Sequence, residues 1–186
     1  MKNQLLILSF FAFILVFSAC VNKKKLQTQE GLTERIIHLE QLLTNTSQSA
    51  AKNDIMRELG DAYQQYAIEN PNAGDTPDKL LKAAQNYGSL GDFVEATTIL
   101  KSIIESYPKT NFAKNAMFAI AYIYGELAKY DKGQSEMYNN NSKKYYKMLI
   151  KEFPDDPLAK QSKLLMSFVG KSDEELFDEL IEKSKQ

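Results

Sequence analysis

The 186-residue chain has no tryptophan, one cysteine, one histidine, eight glycines and five prolines. A single cysteine excludes a disulfide framework within the chain and any zinc site built on paired cysteines. A single histidine excludes a His-rich metal centre. Scarce glycine and proline, against a usual share of roughly 12% together, remove most turn-formers and point to helix. Neither sign of charge is in excess, with 23 basic and 24 acidic residues and a formal charge of −1. Nucleic acid is therefore not an expected partner, because phosphate contacts need a basic excess or stripe. No Gly-rich phosphate loop, Gly-x-Ser-x-Gly, His-Glu-x-x-His or EF-hand pattern occurs. No metal, no cofactor and no catalytic residue are expected, and the chain is read as a non-enzyme. Hydrophobic residues at 44% and charged residues at 25% mark it as globular.

The one long apolar run lies at the start. Lys2 precedes a 13-residue stretch from Leu5 to Phe17 that is apolar except for Ser9. A bilayer span needs about 20 such residues, so this length suits the core of a signal peptide. Ser18, Ala19 and Cys20 follow, then Asn22 and Lys23 to Lys25. This phrase resembles the lipobox of bacterial lipoproteins, whose cysteine is lipidated and becomes the mature N-terminus. The resemblance implies a signal peptide over 1–19, a covalent lipid on Cys20, and a tether over 20–27. It implies a bacterial cell-envelope address. Val21, where an inner-membrane lipoprotein often carries Asp, favours the outer membrane facing the periplasm. Two or more acyl chains hold a protein stably where one is marginal. An ordinary secretory signal with a chance cysteine is the alternative. No other polybasic patch is expected beyond Lys23 to Lys25.

Three phrases end helical stretches: Glu69-Asn70-Pro71, Ser106-Tyr107-Pro108 and Glu152-Phe153-Pro154. Their prolines lie 37 and 46 residues apart. Aligned forward from the proline, Ala83 and Ala84 match Ile120 and Ala121, Tyr87 matches Tyr124, Phe93 matches Tyr130, and Ala96 matches Gly133. Nine extra residues then intervene, after which Leu100 matches Tyr146 and Ile104 matches Ile150. The pattern resembles the tetratricopeptide repeat, a helix-turn-helix unit of about 34 residues. Its marks are Tyr87, Gly91, Phe93, Ala96, Leu100 and Pro108. The phrase from Tyr107 to Ala116, repeated from Phe153 to Ala159, is similar to the envelope subset of these repeats. That subset includes a barrel-assembly lipoprotein and a Tol–Pal-associated repeat protein. The implied fold is all-α: a short right-handed solenoid of about four antiparallel helix hairpins over 28–186, with the clearest repeats at 77–108 and 109–154.

Caps set the helices at 28–43, 49–69, 77–90, 92–106, 111–129, 142–153, 157–169 and 173–184. Thr76-Pro77 and Asp156-Pro157 read as N-cap and first helical residue. Asp92 with Glu95, and Ser172 with Glu175, have capping-box spacing. Gln134 to Asn141 reads as an exposed loop, with a lengthened helix as the alternative. Leu32, Ile36, Leu39 and Leu43 form a stripe that packs on Ile55, Leu59, Tyr63 and Tyr66, a coiled-coil dimer being the alternative. His38 falls beside that stripe in a surface or packing role. The register puts Tyr146 in the core and turns Tyr145 outward. The acidic run at Asp173, Glu174 and Glu175 reads as the capped start of a solvated helix.

Repeat arrays of this type line a concave groove with their first helices. Carrying the family's groove positions over by register gives Asp78, Leu81, Gln85 and Ser89, then Asn115, Phe118, Tyr122 and Glu126. Packing against neighbouring helices is the competing role for these eight. The expected function is a lipid-anchored, non-catalytic protein–protein interaction adaptor, its partner an envelope protein or peptide segment. The alternatives are an accessory factor for cell-wall or Tol–Pal-type complexes, a subunit or regulator of an envelope enzyme, a small hydrolase using surface carboxylates, or a self-associating structural protein. The oligomeric state stays open.

Overall fold

A computed structural model describes residues 31–184 of the chain. The signal peptide expected over 1–19, the expected lipid site Cys20, the expected tether over 20–27 and Lys23 to Lys25 lie outside these residues. Every regular element among them is helical. The elements are α1 over 31–45, α2 (Ser49–Glu69), α3 (Thr76–Ser89), α4 (Phe93–Ser106), α5 (Asn111–Tyr130), α6 (Ser135–Glu152), α7 (Pro157–Phe168) and α8 (Asp173–Ser184). Consecutive helices pack in pairs, and the first helices α3 and α5 also touch. This is the expected all-helical repeat architecture. None of the described helices is long and apolar enough to cross a membrane.

The buried stripe of α1, Leu32, Ile36 and Leu39, shares one core with Leu59, Ala62 and Tyr63 of α2. Packing on α2, rather than a dimer seam, accounts for the stripe. His38 is exposed. The same core runs on through Ala83, Ala84 and Tyr87 of α3, Ala96, Leu100 and Ile103 of α4, and Ile120 and Ala121 of α5. Fully burying side chains such as Leu100, Ile103 and Ile120 stabilises by about 1.5–3 kcal/mol each. A smaller cluster of Met117, Leu149 and Ala159 carries the packing on to α7. The proline turns are tied together: the Tyr107 hydroxyl donates to the Pro71 carbonyl at 3.1 Å.

Several local expectations shift. Asp75, not Thr76, precedes α3. Thr76 is buried inside the helix, and its hydroxyl donates to the Asn70 carbonyl at 2.5 Å, closing the α2–α3 loop. Asp92 makes no cap hydrogen bond. Its carboxylate accepts from Arg57 of α2 at 2.6 Å instead. The Ser172–Glu175 capping box forms in both directions, at 3.2 and 2.7 Å. Thr110 caps α5 through the Ala113 amide, and Asp156 caps α7 through the Leu158 amide.

The largest correction concerns Gln134 to Asn141, which is not a loop. A 3-10 turn at Lys132–Gln134, capped by Asp131, leads straight into α6. The nine extra residues lengthen both helices, giving 20 residues in α5 and 18 in α6 against 14 in each of α3 and α4. Three consecutive asparagines are poor helix formers. Packing overrides them: Tyr138 stacks on Tyr124 at 6.1 Å between ring centroids, and Tyr145 does so at 6.2 Å. That stack also corrects Tyr145, which is buried like Tyr146. Gly133 is exposed and Tyr130 is 81% exposed, so neither takes the place of Ala96 or Phe93. Counted back from Pro154, the small residue is Ser142, fully buried with its hydroxyl on the Ala121 carbonyl at 2.8 Å. A methyl group on Gly88 would meet Ala96 at 3.9 Å, and one on Gly125 would meet Ser142 at 3.5 Å. The close approach within the α3–α4 hairpin therefore recurs in the α5–α6 hairpin.

Candidate functional site

The structure separates the eight groove positions. On α3, Asp78 pairs with Lys82 at 3.3 Å, and Lys82 reaches Glu40 of α1 at 3.7 Å. Leu81 packs against the core, while Gln85 and Ser89 are exposed. On α5, Asn115 is exposed, but Phe118 sits edge-on against Tyr146 at 6.0 Å and belongs to the packing. Tyr122 is 55% exposed, and Glu126 one turn later pairs with Lys129 at 2.6 Å.

Tyr122 and Glu126 stand on the wall of a cleft of about 470 Å³ between α5, α6 and the end of α7. Its floor includes Tyr146 and Ser142 from α6, and its far wall is Leu165, Phe168 and Val169. Burial pushes the Tyr146 phenol up to about 12. The α7–α8 turn closes one end. Gly170 there has φ +82°, a conformation open to glycine, and a methyl group on it would meet the Asn139 amide at 3.3 Å. The turn thus lies directly on α6. Lys129, Lys132 and Lys171 edge the opening. Lys129 is paired with Glu126 and Lys171 with Glu179.

Phe168, 43% exposed, was not anticipated. It lies 46 residues after Tyr122, the same interval as Pro108 to Pro154. Extending the proline register by one more unit would have found it. The same step carries Phe118 to Leu164, which is 58% exposed. Tyr122 and Phe168 are thus equivalent positions of successive first helices, and together they present two aromatic faces to one opening. Chemically, the cleft offers an apolar floor, two half-exposed aromatic rings and a polar rim, which suits an inserted side chain of a peptide or partner helix. Among the described residues no group of three His, Cys, Asp or Glu side chains is placed to hold a metal ion.

Residues 80–110 match the family model described as Tetratricopeptide repeat. The match covers α3 from Leu80, all of α4 and the turn after it. No curated protein matches the chain by sequence. Repeats of this kind generally mediate protein–protein contacts and are typically non-catalytic. With that segment set in an array of consecutively paired helices, the chain is a helical-repeat protein carrying a tetratricopeptide-like unit.

Proposed function

We propose that the chain is a lipid-anchored, non-catalytic adaptor of the bacterial cell envelope, held at the outer membrane and facing the periplasm. Its partner, an envelope protein, seats a peptide or helix in the α5–α7 cleft. The observation that carries the interaction role is the pair of half-exposed aromatic rings, Tyr122 and Phe168, at equivalent positions of neighbouring first helices. Buried neighbours seat both helices on the array, and aromatic anchors buried in such pockets dominate binding at interfaces. The anchor is supported by the sequence alone: Cys20 directly follows a 13-residue apolar run and a pair of small residues.

In-cell crosslinking and pull-down of the tagged chain tests both parts. Tyr122→Ala with Phe168→Ala is expected to lose the captured envelope protein while helicity is retained. Cys20→Ala is expected to leave the fold intact and lose the same capture by misplacing the protein. Capture unchanged by the aromatic pair would remove the cleft from the function. Capture unchanged by Cys20→Ala would remove the tether.

A further inference from the structure

Helix α6 gathers four lysines that the sequence scatters over nine residues. Lys143, Lys144, Lys147 and Lys151 fall within about 100° of one helix face at 3.6 residues per turn, over about 12 Å of axis. All but the partly covered Lys143 are exposed. Among the described residues none of the four makes an ion pair, although Lys144 lies over the Tyr145 ring at 5.5 Å. Together with Asn140 and Met148 they line one shallow recess. Glu136 lies on the same line at the far end of the helix. A chain of net charge −1 therefore carries a local basic row, where the sequence reading anticipated none beyond Lys23 to Lys25.

Folding does not ask for this row. Lys143 with Lys147, and Lys147 with Lys151, are like charges at i,i+4, which weaken a helix. The macrodipole favours a cation in the last turn and so accounts for Lys151 alone. The repeat does not ask for it either. Shifted by 46 residues, the same face of α4 carries Thr97, Thr98, Lys101 and Glu105. The recess holds no arginine fork and no convergent hydrogen-bonding groups that would select a shaped ligand. Flexible point charges in a row, beside the partly buried Met148, suit a smeared negative surface.

We propose that the α6 lysine row docks the folded domain on an anionic phospholipid bilayer. The choice of bilayer over other polyanions rests on the membrane-tethered reading above, and the test keeps the two apart. The full chain is placed on vesicles of phosphatidylcholine alone or with 30% phosphatidylglycerol, and lysine acetylation is read by mass spectrometry. Labelling of Lys143, Lys144, Lys147 and Lys151 is expected to fall about fivefold on the anionic vesicles and to recover in 0.5 M salt, with Lys52 of α2 unchanged. Each lysine near such a surface contributes about fivefold in binding. Lys147→Gln with Lys151→Gln should therefore lower the anionic-over-neutral partition ratio by about 25-fold. An unchanged ratio, or equal labelling on both vesicles, overturns the proposal. Protection by polyglutamate but not by anionic vesicles also overturns it, in favour of an acidic protein. Failure of the tether shows separately, as a chain that does not partition onto neutral vesicles at all.

Discussion

Replacing Tyr145 by alanine tests the packing of the long hairpin most directly. The side chain is 8% exposed, and its ring stacks on Tyr124 at 6.2 Å and 22°. Lys144 lies over the same ring at 5.5 Å. Truncating a buried aromatic costs about 3–5 kcal/mol, part of it lost transfer energy and part the cavity left behind. Solvent at the edge of the ring places Tyr145→Ala at the lower end, about 3 kcal/mol. A domain of this size loses about 2–4 °C of Tm per kcal/mol, so the melting point should fall by about 6–12 °C. Tyr146→Ala, 3% exposed and packed on Phe118, should fall at least as far. Tyr145→Phe keeps the ring and should stay within about 0.5 kcal/mol. Thermal unfolding followed by far-UV circular dichroism reads all three. If Tyr145→Ala melts with the parent protein while Tyr146→Ala collapses, the ring faces solvent and the α5–α6 register described above is wrong.

Two glycine substitutions should part in sign. Gly60→Ala drives a methyl group to 3.0 Å from the Tyr87 ring and should cost about 1–3 kcal/mol in urea unfolding, whereas Gly125→Ala meets only Ser142 at 3.5 Å and should gain up to about 1 kcal/mol of helix propensity. The Asp156 carboxylate is held below its usual range by the hydrogen bond from Lys114 and by the Leu158 amide. A depressed carboxylate stabilises above its unfolded value and loses that contribution as pH falls through the folded one. Asp156→Asn should thus be less stable than the parent at pH 7, with the gap closing below about pH 4; a gap independent of pH would contradict this. At the alkaline end, burial pushes the phenols of Tyr87 and Tyr146 up to about 12. A raised folded value gives stability that is complete below the unfolded value near 10 and is lost as pH rises through about 12. The tyrosinate absorbance of Tyr146, read as the difference between the parent and Tyr146→Phe, should rise together with loss of helicity in that window, and its rise near pH 10 with helicity intact would refute the burial.

The α3–α4 hairpin was legible because its punctuation is local. Pro77, Gly91 and Pro108 mark its turns, and Ala96 lies where two helices must approach. The α5–α6 hairpin was not, because nine added residues can form a loop or lengthen two helices, and composition favours the loop. Asn139 to Asn141 have weak helix propensity, and only the stacking of Tyr138 and Tyr145 on Tyr124 decides the matter. Counting forward from Pro108 reached Gly133, whereas counting back from Pro154 reaches Ser142, which does the packing. The cleft was legible to the same degree. Tyr122 and Glu126 followed from the register, and Phe118 was placed in the groove although Tyr146 claims it. Phe168 and Gly170 were missed because α7 lacks the marks that end a repeat. The lysine row was legible as well: the helix expected over 142–153 already holds all four members, and its period brings them to one face.

The ladder of rings from Tyr138 through Tyr124 to Tyr145 crosses the α5–α6 interface without a tryptophan anywhere in the chain. Tyrosine is therefore the only strong intrinsic chromophore, and three of the ten sit close enough for their transitions to couple. The coupled part of the near-ultraviolet circular dichroism, isolated as the difference between the parent and Tyr124→Phe, becomes a built-in gauge of that one interface. Opening of the long hairpin would erase the coupled signal while the rest of the array kept its helices, so partial unfolding can be followed optically with no label added.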